Sequence, residues 1–226
     1  MSVSAPSTIA DSLARLALRF PSATAVFQRH HLDYCCQGGR SLALAATSAD
    51  LDPEAILEAI VVADRRRGAG QRNWEEAALG DVIDHLLNSY HEPHRQELTD
   101  LQAMATKVER VHGEKATCPH GLAHLLSVIE TDMLEHMAKE EDILFPLIRS
   151  GQGASCLGPV RVMEAEHHDH GDNLQRLSEL TNTFQPPVGA CTTWRALYLR
   201  LEQFRNDLMD HIHLENHVLF PRALNS

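Results

Sequence analysis

From residue 74 to the C-terminus, apolar residues recur every three or four positions, the period of a helix that buries one face. Val82, Leu86, Leu87 and Tyr90, continued by Leu98, Leu101, Met104 and Val108, predict a first helix from Leu79 to about Val111. Leu122, Leu125, Leu126, Ile129, Met133, Met137 and Leu144 predict a second, from Pro119 to about Ile148. Gly151, Gly153, Gly158 and Pro159 make the break before a third, from about Val160 to Leu180. The loop-like stretch TNTFQPPVGAC, residues 181–191, separates it from a fourth, from Thr192 to about Phe220. Nothing alternates with the period of a strand. The expected fold class is all-α, with an up-down-up-down four-helix bundle over residues 74–226.

Residues 1–70 read as a small helical domain. Ser7 or Thr8 is placed to cap a helix reaching Leu18, and a second helix is expected from Ser22 to His31. DYCCQGG at 33–39 is a turn by composition. Ser41 caps the next helix, and Asp52-Pro53 opens another, with proline at the first helical position. RGAGQRN at 67–73 is polar and glycine-bearing, and is read as the linker.

Two helical segments of the bundle repeat one another. TDMLEHMAKEEDILFP at 131–146 and NDLMDHIHLENHVLFP at 206–221 align without a gap. Asp132 falls on Asp207, His136 on His211, Glu140 on Glu215, Leu144 on Leu219, Phe145 on Phe220 and Pro146 on Pro221. Each copy ends at a proline that discourages further helix. A spacing of four places an imidazole and a carboxylate one turn apart on one face. One His-x-x-x-Glu is weak evidence for anything; two in one register, inside one longer pattern, point to a duplicated metal-ligand pair.

Composition narrows the setting. A net charge of −11 argues against a nucleic-acid partner. No run of apolar residues is long enough to cross a membrane, and the N-terminus lacks the features of a signal peptide. Five cysteines, Cys35, Cys36, Cys118, Cys156 and Cys191, are an odd number, so reduced thiols in a cytoplasmic protein are expected. The 15 histidines are in excess and gather in the metal-like segments.

In an up-down bundle the duplicated motifs lie on helices two and four, at opposite corners, so helices one and three must complete the set. Both carry histidines at matching places: His91 precedes His136 by 45 residues, and His167 precedes His211 by 44. His91, His136, Glu140, His167, His211 and Glu215 then meet at one level. Four imidazoles and two carboxylates suit two metal ions, and open positions favour iron over a closed zinc site. The expected cofactor is a pair of non-haem irons with an oxo or hydroxo bridge, able to bind nitric oxide or O2. His94 competes with His91 for its role, and His170, then His168, with His167. His213 and His217 lie about 200° and about 240° round the helix from His211 and are expected to face outward. His112, His120 and His124 are too far along their helices. Asp132 and Asp207 are candidate acceptors for the second N–H of the ligand histidines, set against a plain solvated helix face. Glu166 reads as a solvated neighbour of His167. Pro93 predicts a kink near His91.

Cys35 and Cys36 are adjacent on a turn expected to be exposed, and can serve thiol transfer or hold a soft metal, or can simply pack. Taken together, DYCC-x-GG, HMAKEEDILFP, VMEAEHHDH and HIHLENHVLFPRAL resemble the RIC family, the proteins for repair of iron centres, over nearly the whole chain. The resemblance implies a hemerythrin-like bundle behind the small N-terminal domain, with His91, His136, His167, His211, Glu140 and Glu215 as iron ligands. It implies a cytoplasmic protein that restores iron–sulfur clusters damaged by oxidative or nitrosative stress, with damaged iron–sulfur proteins as partners. It also implies a role for Cys35 and Cys36, and it allows a homodimer. Gln37 stands where the family pattern has a glycine. Beside iron donation stand two other readings: reduction of nitric oxide at the two irons, which would make the protein an enzyme, and reversible O2 or nitric oxide carriage.

Overall fold

The computed structural model describes residues 7–67 and 73–226. The expected linker falls, over 68–72, outside the described residues. The chain divides into two compact units, Met1–Ala77 with Ile212–Val218, and Ala78–His211 with Leu219–Ser226. No strand occurs among the described residues.

The first unit holds four short helices: α1 (Leu13–Arg19), α2 (Ala23–Arg29), α3 (Leu42–Ser48) and α4 (Pro53–Arg67). The cap of α1 is Ser12, not Ser7 or Thr8. The Asp11 carboxylate accepts the Thr8 N–H and closes a turn ahead of the helix, and the Ser12 hydroxyl accepts the Arg15 N–H. Ser41 caps α3 by accepting from the Leu44 N–H, and Asp52 accepts from the Glu54 N–H at the start of α4. Leu13, Leu16, Phe27, Tyr34, Leu42 and Ile60 form the buried centre.

Within the DYCC turn Tyr34 and Cys35 are buried rather than exposed, while Asp33 and Cys36 stay partly exposed. Cys35 is 3% exposed, and its carbonyl accepts from Asn216 Nδ2 at 3.2 Å, with His217 Nε2 at 3.1 Å. Tyr34 packs edge-on against His213, which is buried, not outward-facing. Burial, and then the neighbouring His217, push the His213 imidazole down to about 3, so it is neutral at physiological pH. Gly38 is the tight point: a Cβ there would lie 2.3 Å from the Tyr34 carbonyl and 2.6 Å from His217 Nε2, whereas a Cβ on Gly39 would meet nothing. Gly38→Ala is therefore expected to cost about 1–3 kcal/mol by overpacking, and Gly39→Ala less than about 0.5 kcal/mol. Chemical denaturation of the two variants checks the pair.

The second unit is a four-helix bundle. Its first helix is α5 (Leu79–Leu86), a π-helical stretch Leu87–His91 and α6 (Glu92–His112). The second is α7 (Leu122–Lys139), a π stretch Glu140–Leu144 and α8 (Phe145–Arg149). The third is α9 (Gly153–Leu180). The fourth is α10 (Thr192–Leu214), a π stretch Glu215–Leu219 and α11 (Phe220–Leu224). Leu98, Leu126, Ile129, Leu177, Trp194 and Leu201 are among the buried side chains between them. Arg200 ties α10 to α6, donating to Glu97 at 2.8 and 2.7 Å and to Asp100 at 2.9 Å.

Pro146 and Pro221 do not end their helices as expected. Pro93, Pro146 and Pro221 each stand two residues after the end of a π stretch, and the helix runs on through all three. A proline ring normally collides with the carbonyl four residues back, and its nitrogen has no hydrogen to give. A π turn carries an extra residue, so it shifts the donor and acceptor register by one and makes room for the ring. Likewise α9 begins at Gly153 and contains Pro159. The carbonyl left without a donor there belongs to Ser155, which is exposed to water.

Candidate metal centre

Each π stretch carries a candidate ligand at one end. His91 is the last residue of the first, Glu140 opens the second and Glu215 opens the third. The widened turns thus adjust where these side chains leave their helices. π stretches inside α-helices are frequent at functional sites for this reason.

The structure brings all six together as two overlapping sets. His91, Glu140, His211 and Glu215 form one; His136, Glu140, His167 and Glu215 form the other. Within each set the ligand atoms lie within 4.8 Å of one another, and every residue is buried. Glu140 and Glu215 are common to both.

Hydrogen bonds decide which nitrogens face the centre. His91 Nδ1 lies 2.7 Å from Glu141 Oε1, and His136 Nδ1 lies 3.0 Å from Glu166 Oε2. A carboxylate only accepts, so each Nδ1 carries the proton and each Nε2 presents a lone pair. Those lone pairs point inward. His91 Nε2 and His136 Nε2 each stand 3.4 Å from Glu140 Oε2, and His136 Nε2 stands 3.3 Å from His167 Nε2. Neither oxygen of Glu140 has a hydrogen-bond donor, although the side chain is 0% exposed. Lone pairs and carboxylate oxygens gathered in a dry site repel one another unless cations lie between them. The donor set fits metal ions, with nitrogen and oxygen ligands in the numbers two ions need.

The partners of the imidazoles are not Asp132 and Asp207. Asp132 accepts from Asn173 Nδ2 at 3.3 Å, and Asp207 from Gln203 Nε2 at 2.8 Å. Glu166 holds His136 in place of Asp132, and Glu141 holds His91, each braced by a cation: Arg95 on Glu141 at 2.7 Å, and Lys139 on Glu166. Burial alone would raise both carboxylates, but these hydrogen bonds outweigh it and hold Glu141 and Glu166 below the ordinary range. Both remain ionised at neutral pH and orient the rings. An aspartate four residues back lies on the histidine's own helix, whereas an Nδ1 points sideways to a neighbouring one. Glu166, read from the sequence as a solvated neighbour of His167, instead meets His136 on the neighbouring helix. Glu141→Leu or Glu166→Leu is expected to weaken metal binding by about 10–100-fold without emptying the site at saturating metal. A competition titration against a chelator measures the loss.

The remaining histidines separate cleanly. His94 is buried and stacks on His211 at 5.5 Å, and His170 meets His136 edge-on at 4.9 Å; neither enters a ligand set. Tyr90 lies flat on His211 at 5.3 Å and Phe220 on His167 at 5.8 Å, fixing both rings. His112 meets Cys191 Sγ at 3.2 Å and Trp194, and His120 and His124 are exposed. A cavity of about 470 Å³ is lined by Asp132, Glu135, Glu166, Asp169 and Asp172 with Lys139, His170 and Arg176.

Residues 82–223 match the hemerythrin HHE cation binding domain, and residues 9–64 match ScdA_N, a domain of unknown function. The iron–sulfur cluster repair protein YtfE of Yersinia pseudotuberculosis serotype IB (strain PB1/+) is 49% identical over 214 residues, covering 95% of this chain and 96% of that protein. YtfE of Yersinia pestis (strain Pestoides F) is similar at 49% with the same coverage, and that of Yersinia pseudotuberculosis serotype O:1b (strain IP 31758) at 48%. No helix of the described residues is long and apolar enough to cross a membrane. With a cation-binding hemerythrin HHE domain over most of its length and close to half its residues shared with these proteins, the chain belongs to the YtfE family of iron–sulfur cluster repair proteins.

Proposed function

We propose that the chain holds two non-haem iron ions, one in each ligand set, bridged by Glu140 and Glu215, and that it supplies iron to iron–sulfur clusters damaged by oxidative or nitrosative stress. The observation that carries the reading is the sharing of two buried carboxylates between two sets of inward-facing histidines. A pair of bridged positions fits iron in more than one oxidation state, and bound iron supplies redox chemistry and an affinity for nitric oxide or O2. Damaged iron–sulfur proteins are the partners, consistent with the names of the relatives; the proposed setting is cytoplasmic, which follows from the reduced thiols expected of the five cysteines.

The residues that surround the ligands favour release as well as retention. Glu141 and Glu166 keep His91 and His136 in the metal-binding tautomer. Protonation of either imidazole would weaken its hold, since metal and proton compete for the same lone pair. The acid-lined cavity that Glu166 shares would attract a departing cation.

The test uses full-length protein loaded with isotopically labelled iron and an enzyme whose [4Fe–4S] cluster has lost one iron. Recovery of the client's activity, with label in its cluster, is the expected result. A client that stays inactive while the label remains on this protein overturns the reading. Nitrous oxide formed over many turnovers by the same preparation would establish nitric-oxide reduction instead.

A further inference from the structure

Among the described residues, the first unit holds one more convergence of metal-binding side chains outside the six-ligand centre. We propose that Asp33, Cys35 and Cys36 form a separate site for a thiophilic divalent cation of the zinc or ferrous class. The proposal does not rest on the iron reading above, since it shares no residue with that centre.

The geometry is already that of a chelate. The ligand atoms of Asp33, Cys35 and Cys36 lie within 4.8 Å of one another, and the two sulfurs are 3.6 Å apart. A disulfide needs about 2.05 Å between sulfurs. Two thiolates on one tetrahedral cation at about 2.3 Å lie about 3.8 Å apart. The observed spacing falls close to the second value and far from the first. Asp33 Oδ1 stands 3.3 Å from Cys35 Sγ, so the carboxylate already faces the pair.

The turn that carries the site is held rigidly. Asp33 Oδ1 accepts the N–H groups of Cys35 at 3.2 Å and Cys36 at 2.9 Å. The Cys35 carbonyl is fixed by Asn216 and His217, and Gly38 admits no Cβ. A purely structural role for Asp33 would be satisfied by those two backbone bonds, and would not require the Cys35 sulfur beside the same oxygen with the Cys36 sulfur close by.

The chemistry favours cation capture over thiol exchange. The neighbouring Cys36 sulfur, then burial and Asp33, hold the Cys35 thiol well above its ordinary range. A thiol so held is a poor nucleophile at neutral pH. A cation offsets the charge that makes ionisation costly: on binding, both thiols lose their protons to solvent, and two thiolates and a carboxylate surround a 2+ ion. Three protein ligands leave a fourth position for water or an incoming donor, the arrangement of an exchangeable rather than a structural site. Cys36 and Asp33 are partly exposed, so the cation has access.

Cobalt(II) is the probe, added anaerobically to iron-loaded, thiol-reduced full-length protein. One equivalent is expected to bind per chain with intense thiolate-to-cobalt charge-transfer absorption, which nitrogen and oxygen ligands do not produce. The band should vanish in Cys35→Ser and in Cys36→Ser, each retaining its iron and its melting temperature. Asp33→Asn should weaken binding by about 10–100-fold or more, a ligand losing at least what an outer partner does. Cobalt bound without the band, a band that survives in both serine variants, or no binding at micromolar cobalt overturns the proposal. Failure of the iron site would appear separately, as further cobalt beyond the one equivalent that carries the band, bound without thiolate absorption and equally in both serine variants.

Discussion

Replacing Glu140 with glutamine should leave the purified protein with less than one iron per chain and no magnetic coupling between ions. Glu140 is 0% exposed, stands 3.4 Å from both His91 Nε2 and His136 Nε2, and belongs to both ligand sets. A ligand common to both positions cannot be lost from one alone. The amide keeps the shape of the side chain, so the bundle should still fold, but it removes the charge that offsets two cations. His91→Ala is the contrast. It damages only the set containing His211 and should leave the position formed by His136 and His167 partly filled. Metal analysis with Mössbauer spectroscopy on the two variants separates these outcomes. Coupled iron pairs surviving in Glu140→Gln would mean that the carboxylate does not bridge.

The second large effect is on stability. Stripping the metals with a chelator should lower Tm by about 8–16 °C. An ion present at about a thousandfold over its Kd stabilises the native state by about 4 kcal/mol, and for a chain of this size each kcal/mol moves Tm by about 2–4 °C. The apo protein must keep Glu140 and Glu215 buried among four histidines, an arrangement that only cations make favourable. Calorimetry of the loaded and stripped forms measures the difference. Identical melting curves would mean that the buried cluster is neutral packing rather than a metal centre. Glu140→Gln offers a useful cross-check. It should melt near the stripped wild type, and added metal should move it little.

Proline shows where local rules stop. Read along the chain, Pro146 and Pro221 mark helix ends and Pro93 marks a kink. In the molecule each follows a π stretch that absorbs the missing hydrogen bond, and the helix continues. The π stretches could not be read from periodicity, because one extra residue in a turn leaves the apolar pattern on either side intact. Helix-scale features were legible for the opposite reason. The apolar stripe of Leu122, Leu125, Leu126, Ile129 and Met133 is buried because a single period of 3.6 residues governs both the sequence pattern and the geometry.

The sequence by itself determined the all-helical bundle and its duplicated segments. It also determined that His136 and Glu140, like His211 and Glu215, lie one turn apart. These are consequences of spacing within one helix, where backbone geometry converts a count of residues into a direction. Only the tertiary structure decided what comes from neighbouring helices. It gave His136 the carboxylate of Glu166 rather than that of Asp132, and gave His91 the carboxylate of Glu141. It buried His213, which rotation about its own helix had placed outward, because a face turned from the metals need not be turned to water. It also closed the turn around Cys35 with Asn216 and His217. A side chain's angle round its own helix is fixed locally, but which atoms it then meets depends on helix packing, and no spacing along the chain encodes that.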